Sequence, residues 1–80
     1  MQDTPTTTKH GIRWDHAAQH DDNNQTVYQS SCWRYEITTY QSGGVTLYDA
    51  FEDSFQFFPT VAEAVAQVEY EYDRFLNIAV

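Results

Sequence analysis

The spacing of the apolar residues changes at Pro59-Thr60, and this change constrains the fold more than any other feature of the chain. In residues 27–58, aromatic and β-branched residues mostly alternate with polar ones, a period that is typical of half-buried strands. From Val61 to Leu76, apolar residues recur at intervals of three and four without an intervening Gly or Pro, as in an amphipathic helix. The sequence therefore predicts strands followed by one C-terminal helix.

The strand signals are weak at first and become clear after residue 27. Residues 11–18 favour either a first strand or a short helix, and the polar stretch HDDNNQ that follows them predicts a turn. The clearest strand is predicted from Val27 to Tyr40. Within it, one alternating row consists of Trp33, Tyr35, Ile37 and Thr39.

Two more strands complete the predicted sheet. Gly43-Gly44 can adopt the positive φ values of a tight hairpin, so a partner strand is expected to run through about Tyr48. Phe55 to Phe58 predicts another short strand, which ends at Pro59 because proline has no N–H to donate. The predicted fold class is α+β, an antiparallel sheet of three to four strands with one C-terminal α-helix packed on a face.

The start of the helix has a clear local signature. Thr60 is a good N-cap, and Glu63 follows at the spacing of a capping box. At 100° per residue, Tyr70 is expected to face solvent. The stretch FQFFPTVAEAVAQ resembles the strand-to-helix joint of small sheet-plus-helix domains, including the arm-type DNA-binding domains of phage integrases. Those domains are basic and this chain is acidic, so the resemblance implies the joint and not their function.

The length of 80 residues predicts a single domain, with residues 1–10 as a flexible N-terminal tail and residues 11–80 as the α+β domain. No apolar run is long enough to predict a signal peptide or a membrane span. Cys32 is the only cysteine, so no intrachain disulfide can form, and a lone thiol favours a reducing compartment. The sequence therefore predicts a cytoplasmic protein, in the host cytoplasm if it is viral.

Charge is the extreme property of the composition. Twelve acidic residues stand against four basic ones, giving a net charge of −8. Residues 49–80 hold seven of the acidic residues and only one base, Arg74. Such a surface repels phosphate backbones and anionic lipids, so direct binding of nucleic acid or of a membrane is not expected.

The residue types that could support chemistry are sparse. His16 and His20 are four residues apart, with His10 nearby, but without a second cysteine this pattern gives little reason to predict a metal site. Cys32 is interpreted as a small packed thiol rather than as a nucleophile. A chain this short rarely forms a closed pocket, so we expect no enzyme activity and no cofactor. Aromatic residues of the strands could stack bases, but only Arg34 lies among them to bind phosphate.

The last turns of the predicted helix carry acidic residues where local stability favours bases. Glu69, Glu71 and Asp73 lie at the negative end of the helix dipole, and Glu69 and Asp73 form a like-charged i, i+4 pair. Arg74 offsets part of this cost, because it can pair with Glu71 and lie against Tyr70. Replacing Glu69 and Asp73 by Lys or Gln is therefore expected to raise stability. Carboxylates retained against local stability favour a role in binding a partner.

These features predict a small, acidic, non-enzymatic binding protein. Its expected role is that of an inhibitor or adaptor that docks on a basic, nucleic-acid-binding surface of a larger protein, with carboxylates in place of phosphates. In size, charge and lack of motifs it resembles phage anti-defence proteins such as anti-CRISPR inhibitors. The alternative is a structural or assembly module, a homodimer whose acidity serves only solubility. The residues predicted to bind the partner are Asp49, Glu52, Asp53, Glu63, Glu69, Tyr70, Glu71 and Asp73.

Overall fold

The computed structural model describes residues 4–20 and 25–79, with side-chain burial for residues 4–16 and 25–74. One antiparallel sheet contains five strands in chain order, and one helix follows it. The predicted α+β class is confirmed, but the sheet has five strands rather than three to four. The elements are β1 (Trp14–His20), β2 (Gln25–Ser30), β3 (Tyr35–Tyr40), β4 (Val45–Asp49), β5 (Ser54–Phe58) and α1 (Val61–Ala79).

The additional strand arises because the predicted strand 27–40 is two strands joined by a turn at residues 31–34. Ser30 makes this turn: its carbonyl accepts a hydrogen bond from Trp33 N–H at 3.0 Å, and its buried Oγ accepts one from Tyr35 N–H at 2.9 Å. Trp33 has a φ of 66° and its side chain is exposed, so it does not continue the buried row of Tyr35, Ile37 and Thr39. The prediction of one continuous strand is therefore wrong.

The hydrophobic core lies between one face of the sheet and the helix. Alternate residues of β3 and β4 are buried, as the period of two predicted. The helix contributes residues at intervals of three and four to the same core. The buried hydrophobic residues are Ile12, Tyr35, Ile37, Val45, Leu47, Val61, Ala64, Val65 and Val68. The opposite face of the sheet, here called the outer face, has no helix packed on it in the described part of the chain.

The predicted hairpin and helix start are both confirmed. Gly43 and Gly44 have φ values of 97° and 85°, which only glycine adopts without strain. A Cβ at Gly44 would also lie 2.6 Å from Cζ of Phe57, so the exposed Phe57 ring would have to move aside for any other residue. At the helix start, Glu63 N–H donates to Thr60 Oγ1 at 3.2 Å, and the Thr60 hydroxyl donates to Glu63 Oε2 at 3.1 Å.

The N-terminal segment from Thr4 makes packing contacts that the sequence analysis did not anticipate. Pro5 and Thr8 are buried. Thr8 closes a turn, because its N–H donates to the Ile12 carbonyl at 3.0 Å and its Oγ1 accepts from Ile12 N–H at 3.1 Å. Flexibility of residues 1–10 stays a prediction. The predicted HDDNNQ turn lies mostly in residues 21–24, outside the described residues.

Candidate binding surface

Two turns meet at one end of the sheet, because a meander places alternate connections at the same end. One is the turn 31–34 between β2 and β3, and the other is the turn 50–53 between β4 and β5. Ala50 N–H donates to the Arg34 carbonyl at 2.8 Å, which joins the two turns directly. We call residues 31–34 and 50–53 together the turn end.

A partly buried ion pair holds the geometry of the turn end. Arg34 Nε and Nη2 donate to the two oxygens of Asp49 at 3.1 and 2.9 Å, and Asp49 also accepts from Phe51 N–H at 3.0 Å. Burial alone would raise the pKa of the Asp49 carboxyl, but the hydrogen bonds from Arg34 and from the Phe51 backbone hold it below the ordinary value of 3.8. The guanidinium lies 5.0 Å from the Tyr35 ring centroid and 4.9 Å from that of Phe51.

Large apolar side chains project from this fixed frame into solvent. Trp33 and Phe51 are both 77 % exposed. Trp33 lies beside a surface depression of about 310 Å³ lined by Arg13, Asp15, Gln29, Ser30, Ser31 and Trp33. Cys32, which was expected to be packed, is exposed in the same turn. Exposed aromatic residues on hydrogen-bonded turns, beside a depression, are features of protein-binding surfaces.

Two predicted partner-binding acids lie at the turn end and have no cationic partner among the described residues. Glu52 and Asp53 are exposed, and Asp53 has a φ of 51°. The Tyr48 hydroxyl donates to Asp53 Oδ1 at 2.8 Å, and this hydrogen bond raises the pKa of Tyr48 above its ordinary value of 10.0. The Tyr48 ring lies 4.6 Å from that of Phe55, which connects the turn end to the outer face of the sheet.

Two other predicted acids, Glu69 and Asp73, contact the N-terminal segment. Asp73 accepts from Lys9 Nζ at 2.6 Å and lies 2.7 Å from His10 Nε2, and Glu69 accepts from Lys9 N–H at 2.7 Å. We call this set of bonds the N-terminal contact. The hydrogen bond with Asp73 raises the pKa of Lys9, and the same bond lowers the pKa of Asp73. These two helix acids therefore have structural partners that the sequence did not reveal.

The remaining predicted residues are dispersed over the helix. Glu63 belongs to the N-terminal cap. Tyr70 is 57 % exposed, as predicted, and Arg74 Cζ lies 5.9 Å from its ring centroid. Glu71 Oε1 accepts from Gln67 at 3.3 Å, whereas its Oε2 is buried without a hydrogen-bond partner in the described residues. The predicted residues thus form separate groups, of which only Glu52 and Asp53 lie in the turn end, with Asp49 next to it at the end of β4.

The histidines lie in surroundings that differ from the helical alignment considered in the sequence. His16 and His20 are in strand β1, so their spacing of four does not place them on one helical turn. His10 is bound to Asp73 and lies 5.1 Å from the Tyr72 ring. Within residues 4–16 and 25–74, no three potential metal-ligating side chains form a group that could hold an ion.

Comparisons with known proteins give no relative: no family model, curated protein sequence or solved structure matches this chain. Among the described residues, no helix is long and apolar enough to cross a membrane. The candidate surface is therefore defined by its own geometry and charge.

Proposed function

We propose that this protein is a small, acidic, non-enzymatic binding protein that docks on a basic surface of a larger, nucleic-acid-binding protein and acts there as an inhibitor or adaptor. The observation that carries the proposal is the turn end. There, Glu52 and Asp53 have no cationic partner in the described chain and lie next to the exposed Trp33 and Phe51. Carboxylates attract the Lys and Arg residues that bind phosphate, and the aromatic rings supply area that becomes desolvated on binding.

Two of the four basic residues form ion pairs with other carboxylates of the protein, so they do not neutralise Glu52 and Asp53. Lys9 binds Asp73, Arg34 binds Asp49, and Arg74 lies against Tyr70. Because Arg34 is held by two hydrogen bonds from its guanidinium, its charge is balanced locally. The proposal therefore centres on Glu52 and Asp53 and assigns a structural role to Asp49, Glu69 and Asp73.

The proposal is tested with biotinylated protein and the heparin-retained fraction of a cell lysate, which is enriched in nucleic-acid-binding proteins. We expect captured proteins to be released by an added DNA duplex of about 20 base pairs, because both ligands would occupy the same basic surface. Capture should also weaken between about 50 and about 300 mM salt, since the Debye length falls over this range. Mass spectrometry identifies the proteins that are released.

Two variants with the same change in charge show whether the turn end is the binding surface. Glu52→Lys should weaken capture several-fold, whereas the double variant Ala62→Lys with Ala66→Lys, at two exposed positions of the helix, should weaken it much less. Equal losses would mean that only net charge matters. Capture that resists both salt and duplex would contradict the proposal.

The alternative function, an assembly module whose acidity serves only solubility, is favoured by one observation. The edge strand β5 exposes Phe55 and Phe57, each to 69 %. An interface built on these side chains would persist or tighten in high salt, because salting-out salts strengthen the burial of apolar surface. The same salt series therefore separates the two functions.

A further inference from the structure

Strand β5 forms an open edge of the sheet, since its one strand neighbour is β4. Its sequence, SFQFF, contains no charged residue, no proline and no glycine. Natural edge strands are usually protected by charges, bulges or covering segments, because an open ladder pairs readily with another strand. The described part of the chain supplies no such cover for β5. Its edge is therefore chemically suited to pairing with another strand.

The hydrogen bonds of the neighbouring strands show which groups of β5 are free to pair. Tyr40 N–H donates to the Gly44 carbonyl and Ala50 N–H to the Arg34 carbonyl, so Thr46 and Tyr48 direct their backbone groups toward β3. The other residues of β4 direct their backbone N–H and C=O groups toward β5. Their partners in β5 are Ser54, Gln56 and Phe58. Phe55 and Phe57 consequently direct their N–H and C=O groups toward the open edge.

The side chains of the same two residues share one face of the sheet. Phe55 pairs in register with Tyr48 and Phe57 with Thr46, both on the outer face, whereas Gln56 pairs with the buried Leu47. An antiparallel pairing of two β5 strands about a two-fold axis at Gln56 places Phe55 of each copy opposite Phe57 of the other. That register satisfies the free backbone groups and forms two aromatic cross-strand pairs at once.

We infer that β5 is a dimerisation edge, at which two copies of this chain join their sheets in antiparallel register about Gln56. Self-pairing is favoured because the edge is complementary to itself in hydrogen bonding and in the positions of its phenylalanine side chains. It also lacks any charge that would attract a partner of opposite sign. The two joined sheets would form one ten-stranded sheet with a cluster of four phenylalanine side chains, two from each copy, on its outer face.

The net charge of each copy does not prevent this arrangement. In the inferred register the two Asp53 residues lie six positions apart, roughly 20 Å along the strands, which is more than two Debye lengths at physiological salt. The four phenylalanine side chains would supply on the order of 500 Å² of buried area, about one third of a standard interface. We therefore expect a weak, reversible dimer.

The inference does not depend on the proposed function, because the pairing uses none of the carboxylates of the turn end.

The inferred register predicts two distances between the copies, which cysteine cross-linking can compare in the Cys32→Ser background. The two Gln56 residues would form a non-hydrogen-bonded pair with Cα atoms about 4.5 Å apart, which is compatible with a disulfide. The two Ser54 residues would be roughly 13 Å apart along the strands. Both positions are exposed, so each tolerates cysteine.

Under mild oxidation, Gln56→Cys should form the cross-linked dimer at least about tenfold faster than Ser54→Cys. Sedimentation of the chain with Gln56 and Cys32 intact should show a monomer–dimer equilibrium. Phe55→Lys should weaken that equilibrium by about tenfold or more, whereas Tyr70→Lys, which places the same charge at an exposed aromatic position on the helix, should not. A chain that stays monomeric to several hundred micromolar would overturn the inference. A dimer in which both cysteines react equally fast would also overturn it.

Discussion

The acidic residues of the N-terminal contact and those of the turn end have opposite relationships to the rest of the molecule. Glu69 and Asp73 accept hydrogen bonds from Lys9, and Asp73 also binds His10. Glu52 and Asp53 form no ion pair in the described residues, because Arg34, the cation of the turn end, is bound to Asp49. Net charge alone therefore does not locate a binding surface. Only carboxylates that form no ion pair within the protein can bind a partner without first breaking an internal contact.

The largest expected effect concerns Asp49, the acid with the most internal bonds. Arg34→Ala leaves this carboxylate, whose side chain is only 10 % exposed, without its cation, and should lower the free energy of unfolding by about 3 kcal/mol. The pKa of Asp49 is lowered in the folded state, so the ion pair stabilises the protein at pH values above the ordinary pKa of 3.8. The loss of stability caused by Arg34→Ala should therefore shrink as the pH falls below 3.8.

Urea denaturation of Arg34→Ala at several pH values measures this effect. Arg13→Ala serves as the control, because Arg13 is exposed, and its free energy of unfolding should change by less than about 0.5 kcal/mol. If the two variants were equally stable at neutral pH, the ion pair would not hold the two turns together. Asp49 would then not differ from Glu52 and Asp53 in its contribution to stability.

A smaller effect is expected for the double variant Glu69→Gln with Asp73→Asn. The helix dipole and the like-charged pair predict a gain in stability, but the bonds to Lys9 and His10 predict a loss, and we expect the loss to prevail. The pKa of Asp73 is lowered and that of Lys9 is raised in the folded state. The loss of stability relative to the unmodified chain should therefore be largest between pH 3.8 and pH 10.5, the ordinary pKa values of the two groups.

Melting temperatures at pH 3, 7 and 11 measure the loss in this double variant. A variant that melts higher than the unmodified chain at pH 7 would show that repulsion within the helix outweighs the N-terminal contact. In that case Glu69 and Asp73 would return to the group of acids available for a partner.

The smallest effect on stability is expected for Glu52→Gln with Asp53→Asn. Both residues are exposed, and asparagine tolerates the positive φ of Asp53, so the free energy of unfolding should change by less than about 0.5 kcal/mol. The pKa of Tyr48 should return toward 10.0, because the hydrogen bond to Asp53 is its main cause of elevation. Absorbance titration of tyrosinate formation reports this change. A large loss of stability would place these acids with the structural ones.

The parts of the fold that were predictable are those set by neighbouring residues. The hairpin at Gly43-Gly44 and the cap at Thr60 each depend on a few consecutive side chains. The turn 31–34 was missed because Trp33 is in phase with Tyr35, and no glycine or proline interrupts the pattern. Its cause is Ser30, whose hydroxyl and carbonyl accept two backbone N–H groups across the turn. A serine inside an alternating segment is too common to predict such a turn.

The candidate surface was only partly predictable, because long-range pairs decide which acids are free. Lys9 and Glu69 are 60 positions apart in the sequence, and Arg34 and Asp49 are 15 apart. No local pattern links either pair. The sequence therefore indicated an acidic protein and included Glu52 and Asp53 among the binding residues, but it could not separate them from Asp49, Glu69 and Asp73. The exposed Trp33 and Phe51 were missed for the same reason, since their exposure depends on how the two turns meet.

The meander order of the sheet favours rapid folding of the chain. Every strand pairs with its neighbour in sequence, so the ladders close short loops and can form quickly, even while the chain is being synthesised. The N-terminal contact is the exception, because residues 9 and 10 must wait for residues 69–73. Interactions that form late in folding mainly set the rate of unfolding. The bonds of Lys9 and His10 are thus placed to lengthen the lifetime of the folded state without slowing its formation.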